Sequence, residues 1–439
     1  MNIKRLVLGT AAGALAVTGA QAADLPVVVE PVDYVRICDA AGTGFFFIPG
    51  TETCMQIRSR VRTDYNLYFN FDDDSVVDFA GGLNGFYDGD TEDRLYRFRA
   101  RGYVRTSTVT QTEFGQLTTF VDIFVTADSR GRGAGDPGMS VELDSALIQL
   151  GGLILGRFAT TFGGSQGIYV IEQTFDLGNN TGQINQIAYQ FDFGNGFGAQ
   201  VSLEDNLAHA RGIAATENQN FTAGRITASG ADYGGNQIPD IVAKVFIDQG
   251  WGSAHLSGAG HYINARATYV DPGRGSFTVT DEEYGFAVAA GVEVNIPFGN
   301  GTRIGVQGGY AYGAQDYIND GVSSIADSRA VGFVGNTAPD AYFDEDGDLE
   351  VGNFFSVAGG AATSFTPTIG AAIGAGYVYN DYDDGDIQNI NVQGNVSWTP
   401  VSGLLFLLGA EWRYADVDLP FNSSDGSALT TFLRAQAEF

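Results

Sequence analysis

Met55-Gln56-Ile57-Arg58-Ser59-Arg60-Val61-Arg62-Thr63-Asp64-Tyr65-Asn66-Leu67-Tyr68-Phe69-Asn70-Phe71 is the stretch that decides the fold. Met55, Ile57, Val61, Tyr65, Leu67, Phe69 and Phe71 fall on one face, and Gln56, Arg58, Arg60, Arg62, Asp64, Asn66 and Asn70 on the other. A period of two over this length is a strand pattern, and as a helix it would scatter arginines all round the axis. At about 3.3 Å per residue the run is longer than a typical water-soluble strand needs. A tilted membrane strand of about 9–11 residues that continues above the bilayer fits it better.

Working outward, residues 94–110 repeat the pattern, with Tyr96, Phe98, Val104 and Thr106 outward and Arg97, Arg99, Arg101, Tyr103 and Arg105 inward. Further strands are expected near 115–127, 141–150, 153–158, 185–193, 198–205, 239–248, 253–265, 284–297, 302–315, 353–365, 368–380, 387–398, 403–416 and 429–439, sixteen in all. Short joins recur, such as Thr112-Glu113-Phe114-Gly115, Gly194-Asn195-Gly196 and Phe298-Gly299-Asn300-Gly301. Gly and Asn supply the positive φ that tight hairpins require. Between them lie long polar joins near 72–92, 128–140, 159–184, 206–238, 266–283, 316–352, 381–386 and 417–428. Short turns on one side and long loops on the other are the construction of bacterial outer-membrane barrels.

The start of the chain agrees. Met1-Asn2-Ile3-Lys4-Arg5 is positive, Leu6 to Ala20 is apolar or small, and Ala20-Gln21-Ala22 is a cleavage site, so residues 1–22 read as a signal peptide. The apolar run is too short to span a bilayer, and no other run approaches the required length. An exported chain without a spanning helix crosses lipid only as a closed barrel, because every backbone N–H and C=O needs a partner there. Composition fits: charged residues are 17%, glycines number 61, and mean hydropathy is near neutral at −0.03. A net charge of −29 excludes a general nucleic-acid binder, and 44% hydrophobic residues exclude disorder.

The segment Tyr34-Val35-Arg36-Ile37-Cys38-Asp39, followed by Phe45-Phe46-Phe47-Ile48-Pro49-Gly50-Thr51-Glu52-Thr53-Cys54, resembles the start of alphaproteobacterial general porins. Leu155-Gly156-Arg157 and the terminal strand match that family more loosely. The resemblance implies a sixteen-stranded antiparallel transmembrane β-barrel, a homotrimer whose water-filled channel has its third loop folded inward. The terminal Phe439, on the lipid-facing register, resembles the signal by which such barrels are recognised for assembly. The expected organisation is a signal peptide 1–22, a periplasmic-side segment 23–52 with a disulfide loop, and a barrel over 53–439.

Cys38 and Cys54 are the only cysteines, and the exported compartment is oxidising, which favours a disulfide over inert thiols. A metal site is the third option, but His209, His255 and His261 are scattered among expected strands and a loop. Acidic clusters at Asp72-Asp73-Asp74, Asp344-Glu345-Asp346-Gly347-Asp348 and 381–386 read as solvated loop charge. They leave open divalent cations that bridge loops to anionic lipid and lipopolysaccharide; no other metal or cofactor is expected. No G-x-S-x-G, H-E-x-x-H or P-loop pattern occurs, so an enzyme is not expected.

The arginines carry the functional expectation. Arg58, Arg60, Arg62, Arg97, Arg99, Arg101 and Arg105 share one strand face, and Arg434 adjoins them across the closing seam. Facing lipid at mid-membrane, each would cost about 2–4 kcal/mol, so they point into the lumen, where opposing carboxylates or water must answer them. The third long loop carries Glu172 and Asp176 among Phe162, Ile168 and Phe175. Its apolar content suits folding inward, with both acids opposed to the arginines as a constriction. The expected function is passive diffusion of ions and small hydrophilic solutes. The rivals are a plugged barrel acting as adhesin or structural protein, and a substrate-specific sugar or fatty-acid transporter.

Overall fold

A computed structural model describes residues 36–70, 96–129, 138–164, 182–215, 227–271, 273, 275–318, 339–344, 346–383, 385–419 and 422–439. The expected signal peptide 1–22, the adjoining 23–35, Asp72-Asp73-Asp74, Glu345 and the loop acids Glu172 and Asp176 lie outside them.

Alternation produces the strands one after another. They are β1 (Cys54–Asn70), β2 (Tyr96–Thr112), β3 (Gly115–Asp128), β4 (Met139–Leu150), β5 (Leu153–Ala159), β6 (Gln183–Gly194), β7 (Phe197–Glu204) and β8 (Asp240–Gln249). There follow β9 (Gly252–Asp271), β10 (Gly275–Ile296), β11 (Thr302–Tyr312), β12 (Asn353–Ser364), β13 (Ile369–Tyr382), β14 (Gly385–Val401), β15 (Leu404–Leu419) and β16 (Asn422–Glu438). Each pairs antiparallel with the next. β16 returns to β1 in the register Arg60↔Glu438 to Asn70↔Ala428, which closes the barrel. Closure leaves no sheet edge, the condition for a sheet to live in lipid. All sixteen expected strands are present.

The outward face is an apolar belt. Ile57, Val61, Leu67, Phe98, Val104, Ile187, Leu203, Val288 and Leu433 are all exposed, a pattern that only lipid makes favourable. Tight turns join the strands at one end. At Gly194-Asn195-Gly196 all three φ angles are positive, at 84, 53 and 74°. A Cβ on Gly196 would sit 1.7 Å from the Asp248 carbonyl oxygen, so only glycine allows that turn to approach β8.

Three expected long loops prove to be hairpins that continue the strands. Residues 266–271 belong to β9 and 275–283 to β10. Their upper rungs pair Thr268 with Thr278 and Tyr269 with Phe277, hydroxyl to hydroxyl and ring to ring. Polar and aromatic β-formers hold this ladder without the apolar alternation that lipid imposes. For the same reason β13 and β14 extend into 381–386, and β15 and β16 into 417–428.

Other long loops turn inward. Ile213–Ala215 pairs parallel with Ala341–Phe343, which pairs antiparallel with Leu349–Val351, and all residues of the first two segments are buried. Thr227–Tyr233 adds a short strand beside the upper half of β9. The wall beneath is lined by small residues, Ala259, Ala287, Ala289 and Ala311, which leaves room for Phe162, Tyr317 and Ile318 to pack against it. Gly309 has Ile318 so close that a Cβ would meet it at 2.5 Å.

At the short-turn end, Phe46–Phe47 pairs with Met55 and Cys54, and Cys38 is joined to Cys54 by a disulfide with Cα atoms 6.0 Å apart. Both sulfurs are buried against Val109, with Phe45 and Phe47 alongside.

Candidate functional site

The inner faces of β16, β1, β2 and β3 form one arc of arginine and carboxylate. Register decides which groups meet. Asp64 stands opposite Arg99 on β2 and opposite Arg434 on β16. Arg434 Nε donates to Asp64 Oδ1 at 2.6 Å, Arg99 to Oδ2 at 2.8 Å, and Arg62 Nε to Oδ2 at 2.9 Å. All four side chains are at most 8% exposed. One carboxylate therefore clips together the three strands at the closing seam.

Two neighbouring pairs, Arg105–Asp122 and Arg60–Glu438, follow the same rule, and Arg97 reaches diagonally to Asp128, whose register partner is Arg99. Arg97 Nε donates to both oxygens of Asp128, at 3.1 and 2.8 Å, Arg105 pairs with Asp122, and Arg60 pairs with Glu438 at 2.5 Å. Two like-charge rungs remain, Arg58↔Arg105 and Arg62↔Arg101. Facing guanidiniums repel unless each finds a partner elsewhere. Arg105 and Arg62 do so through Asp122 and Asp64. Arg101 instead lies 4.7 Å over the Phe124 ring and donates from Nε to Thr126 Oγ1 at 3.0 Å. Arg58 is exposed on the inner wall. Among the described residues these two carry no carboxylate. Eight guanidiniums face four carboxylates (Asp64, Asp122, Asp128, Glu438) on these strands, an excess of four positive charges. Arg58, Arg60, Arg105 and Glu438 also line an open recess of about 210 Å³ beside Phe439.

Phe439 is exposed on the outward register, and its backbone pairs with Ser59 in both directions, at 3.0 and 2.8 Å. Of the third long loop, between β5 and β6, residues 160–164 and Gly182 are described. Thr160 and Thr161 bind the Glu204 carboxylate, the Phe162 carbonyl accepts from Ser257 Oγ at 2.7 Å, and the Gly163 carbonyl accepts from Lys244 Nζ at 3.0 Å. Phe162 is fully buried against Tyr317. The loop thus leaves β5 across the inside of the barrel toward β8 and β9.

A second constellation escaped the sequence reading. His209 bridges two carboxylates, Nε2 to Glu204 at 2.7 Å and Nδ1 to Asp316 at 2.8 Å, and Arg211 pairs with Asp316. Nearby, His261 Nδ1 meets Asp240 at 2.7 Å, Tyr233 donates to Asp340 at 2.7 Å, and Tyr317 donates to Asp240 at 2.7 Å. Burial alone would push the His209 imidazolium down, but hydrogen bonds and charge from Asp316 and Glu204 raise it to about 10. Burial raises the Asp340 carboxyl to about 6, against the opposing pull of His261, the Arg211 amide and Tyr233. The arrangement locks two infolded loops to the barrel wall. The available signal was the apolar triplets Ile213-Ala214-Ala215 and Ala341-Tyr342-Phe343 inside otherwise polar joins.

The acidic turn at 344–348 is self-capped: Asp344 Oδ1 accepts from the amides of Asp346 and Asp348, both at 2.9 Å. Among the described residues no group of His, Cys, Asp and Glu has a metal-holding arrangement.

A family model described as the Porin subfamily matches residues 24–436. Porin Omp2b of Brucella suis is 35% identical over 292 residues, 64% of this chain and 72% of that protein. Porin Omp2b of Brucella abortus (strain 2308) is 33% identical over the same shares. Among solved structures, the outer membrane channel DcaP of Acinetobacter baumannii superposes with a TM-score of 0.60 at 18% identity, covering 90% of this chain and 99% of that one. OmpT of Vibrio cholerae gives 0.51 at 10% identity, covering 89% and 99%. At such identities the superpositions show a shared fold.

Proposed function

The chain belongs to the porin subfamily and is an outer-membrane channel for passive diffusion of solutes, and we propose that ions and small hydrophilic solutes pass along the arginine-lined arc of its inner wall. The observation that carries this reading is the excess of guanidinium over carboxylate on β16, β1, β2 and β3. A preorganised set of like charges in a narrow, low-dielectric wall focuses the local field and biases which ions enter. Arg58, Arg60, Arg62, Arg97, Arg99, Arg101, Arg105 and Arg434 supply the positive side. Glu172 and Asp176 supply the negative side, on a third loop whose first residues already head across the lumen. The chain is not an enzyme and needs no cofactor.

The mature chain begins after Ala22, a reading supported by the family match that starts at residue 24. Cys38 and Cys54 tie the segment after the leader to the periplasmic mouth, and Phe439 marks the chain for barrel assembly. The channel works as a homotrimer, and its acidic loops meet lipopolysaccharide through divalent cations. Planar-bilayer recording tests the channel reading: the purified protein should give stepwise, ohmic conductance in KCl. Absence of conductance from correctly folded protein would favour a plugged barrel, the reading that the infolded loops near 213–215 and 314–318 otherwise invite. Mass measurement in mild detergent tests the trimer, and a monomer would refute it.

A further inference from the structure

His209 ties a loop to the barrel wall through two acids at once. Its own loop, after β7, and the segments 314–318 and 339–351 fold into the lumen against β8 to β12, roughly halfway round the barrel from the arginine arc. Nε2 of His209 meets Glu204 Oε2 on β7 at 2.7 Å, and Nδ1 meets Asp316 Oδ2 at 2.8 Å. The ring is fully buried and stacks on Tyr317, with centroids 4.0 Å apart. A neutral imidazole has one N–H and one lone pair, so it would satisfy one of these carboxylates and turn a lone pair on the other. Only the imidazolium donates to both.

The same two acids hold other pieces of the lumen. Glu204 also accepts from Thr160 Oγ1 and from the Thr161 amide, each at 2.8 Å, where the third long loop begins. Asp316 pairs through Oδ1 with Arg211. One proton on His209 therefore stands between an acid of the wall and an acid of an infolded loop, and its loss sets lone pairs against a carboxylate at hydrogen-bond distance. The other titratable and charged groups around the site are Tyr317 and Arg211, then the Asp240–His261 pair of β8 and β9, Tyr233, Asp340, and Lys244 of β8, whose Nζ donates to the Gly163 carbonyl.

We propose that His209 is a proton-operated latch: protonated, it holds the infolded loops against the wall, and without its proton they leave the wall and the conduit past the arginine arc widens. The proposal rests on the channel reading and adds to it a control by pH. Burial lowers the imidazolium, but hydrogen bonds and charge from Asp316 and Glu204 raise it to about 10, against 6.5 for a released and hydrated histidine. Between these values the held state carries the extra proton, so the held-to-released ratio falls about tenfold for each pH unit of rise. Asp340, raised by burial to about 6, titrates below that window. Burial and then the neighbouring carboxylates push Tyr317 and Tyr233 well above the usual phenol range, so both stay protonated through it.

The test records the full mature channel in planar bilayers in KCl as pH is raised from 6.5 to about 10. The wild type should move between a lower and a higher conductance level, with the dwell-time ratio shifting toward the higher by about tenfold per pH unit and returning on acidification. Conductance independent of pH would overturn the proposal. His209→Gln keeps a hydrogen-bond donor without a titratable charge. It should occupy the higher level throughout, and a wild-type pH response in this variant would also overturn the proposal. A second variant keeps His209 and tests the movement itself. A Cβ added at Gly309 on β11 would lie 3.0 Å from Ile318 Cβ, so Gly309→Cys with Ile318→Cys needs only a small shift to reach disulfide distance, about 3.5–4.5 Å. Oxidised, it should stay at the lower level at every pH, and reductant should restore the response. A response that survives the crosslink would show that the infolded loop is not what moves. A wild type without conductance at any pH would instead sink the channel reading beneath the proposal.

Discussion

Replacing Asp64 with Asn should weaken the barrel at its closing seam far more than any other single neutralisation on that wall. The substitution preserves shape and removes one negative charge from between Arg62, Arg99 and Arg434. Because Asp64 is 3% exposed and its partners at most 8%, solvent does not screen the loss. Taking one partner from a buried ion pair costs about 3–5 kcal/mol, since the charge left behind stays desolvated. Three guanidiniums share the loss here, and the new Nδ2 would point its hydrogens at one of them. The internal control is Glu438→Gln, which breaks the Arg60 pair, exposed at 22% and 48%. Such a pair is worth at most about 1 kcal/mol. Denaturant unfolding of both variants in lipid vesicles, followed by tryptophan fluorescence, measures the difference. If D64N costs no more than E438Q, the three-arginine clip does not hold the seam and the reasoning fails.

Cys38 and Cys54 should resist alkylation in the folded protein until reduced, and reduction should cost about 3 kcal/mol in the chain-entropy account; free thiols without reductant would refute the bridge. His209 is raised from 6.5 to about 10, so its stabilisation is complete below pH 6.5 and lost as pH rises through 10. Wild-type thermal stability should fall across that window more steeply than that of His209→Gln, and parallel profiles would contradict the bridged imidazolium. N-terminal sequencing of protein from the outer membrane should begin at Ala23 or Asp24, and a start at Met1 would end the export reading.

The membrane strands are legible in the sequence because lipid enforces their pattern. Ile57, Val61, Tyr65 and Leu67 must be apolar where Arg58, Arg60, Arg62 and Asp64 need not be, and period two follows. Above the bilayer that pressure ends. Thr268, Thr278 and Ser276 pair as well as apolar residues do, yet their composition reads as loop, so 266–283 reads as a long join where β9 and β10 continue. The arginine face was legible for the same reason as the strands, and so was its need for answering charge. Which acids answer it was not. Asp122 and Asp128 sit on β3; register sets Asp122 opposite Arg105, while Asp128, opposite Arg99 in register, is taken diagonally by Arg97. The histidine–carboxylate network was beyond reach of local pattern, because His209 and Asp316 are 107 residues apart and meet only when two loops fold inward.

If arginines without carboxylate partners set the field in the lumen, Arg58 and Arg101 should govern it, being the two such groups on β16, β1, β2 and β3 among the described residues. The most direct measurement is the zero-current potential in asymmetric KCl for the wild type and for the double variant Arg58→Ala, Arg101→Ala. The substitutions halve the positive excess of the arc from four to two, so the potential should move toward cation preference while conductance persists. An unchanged potential in a variant that still folds and conducts would contradict the account.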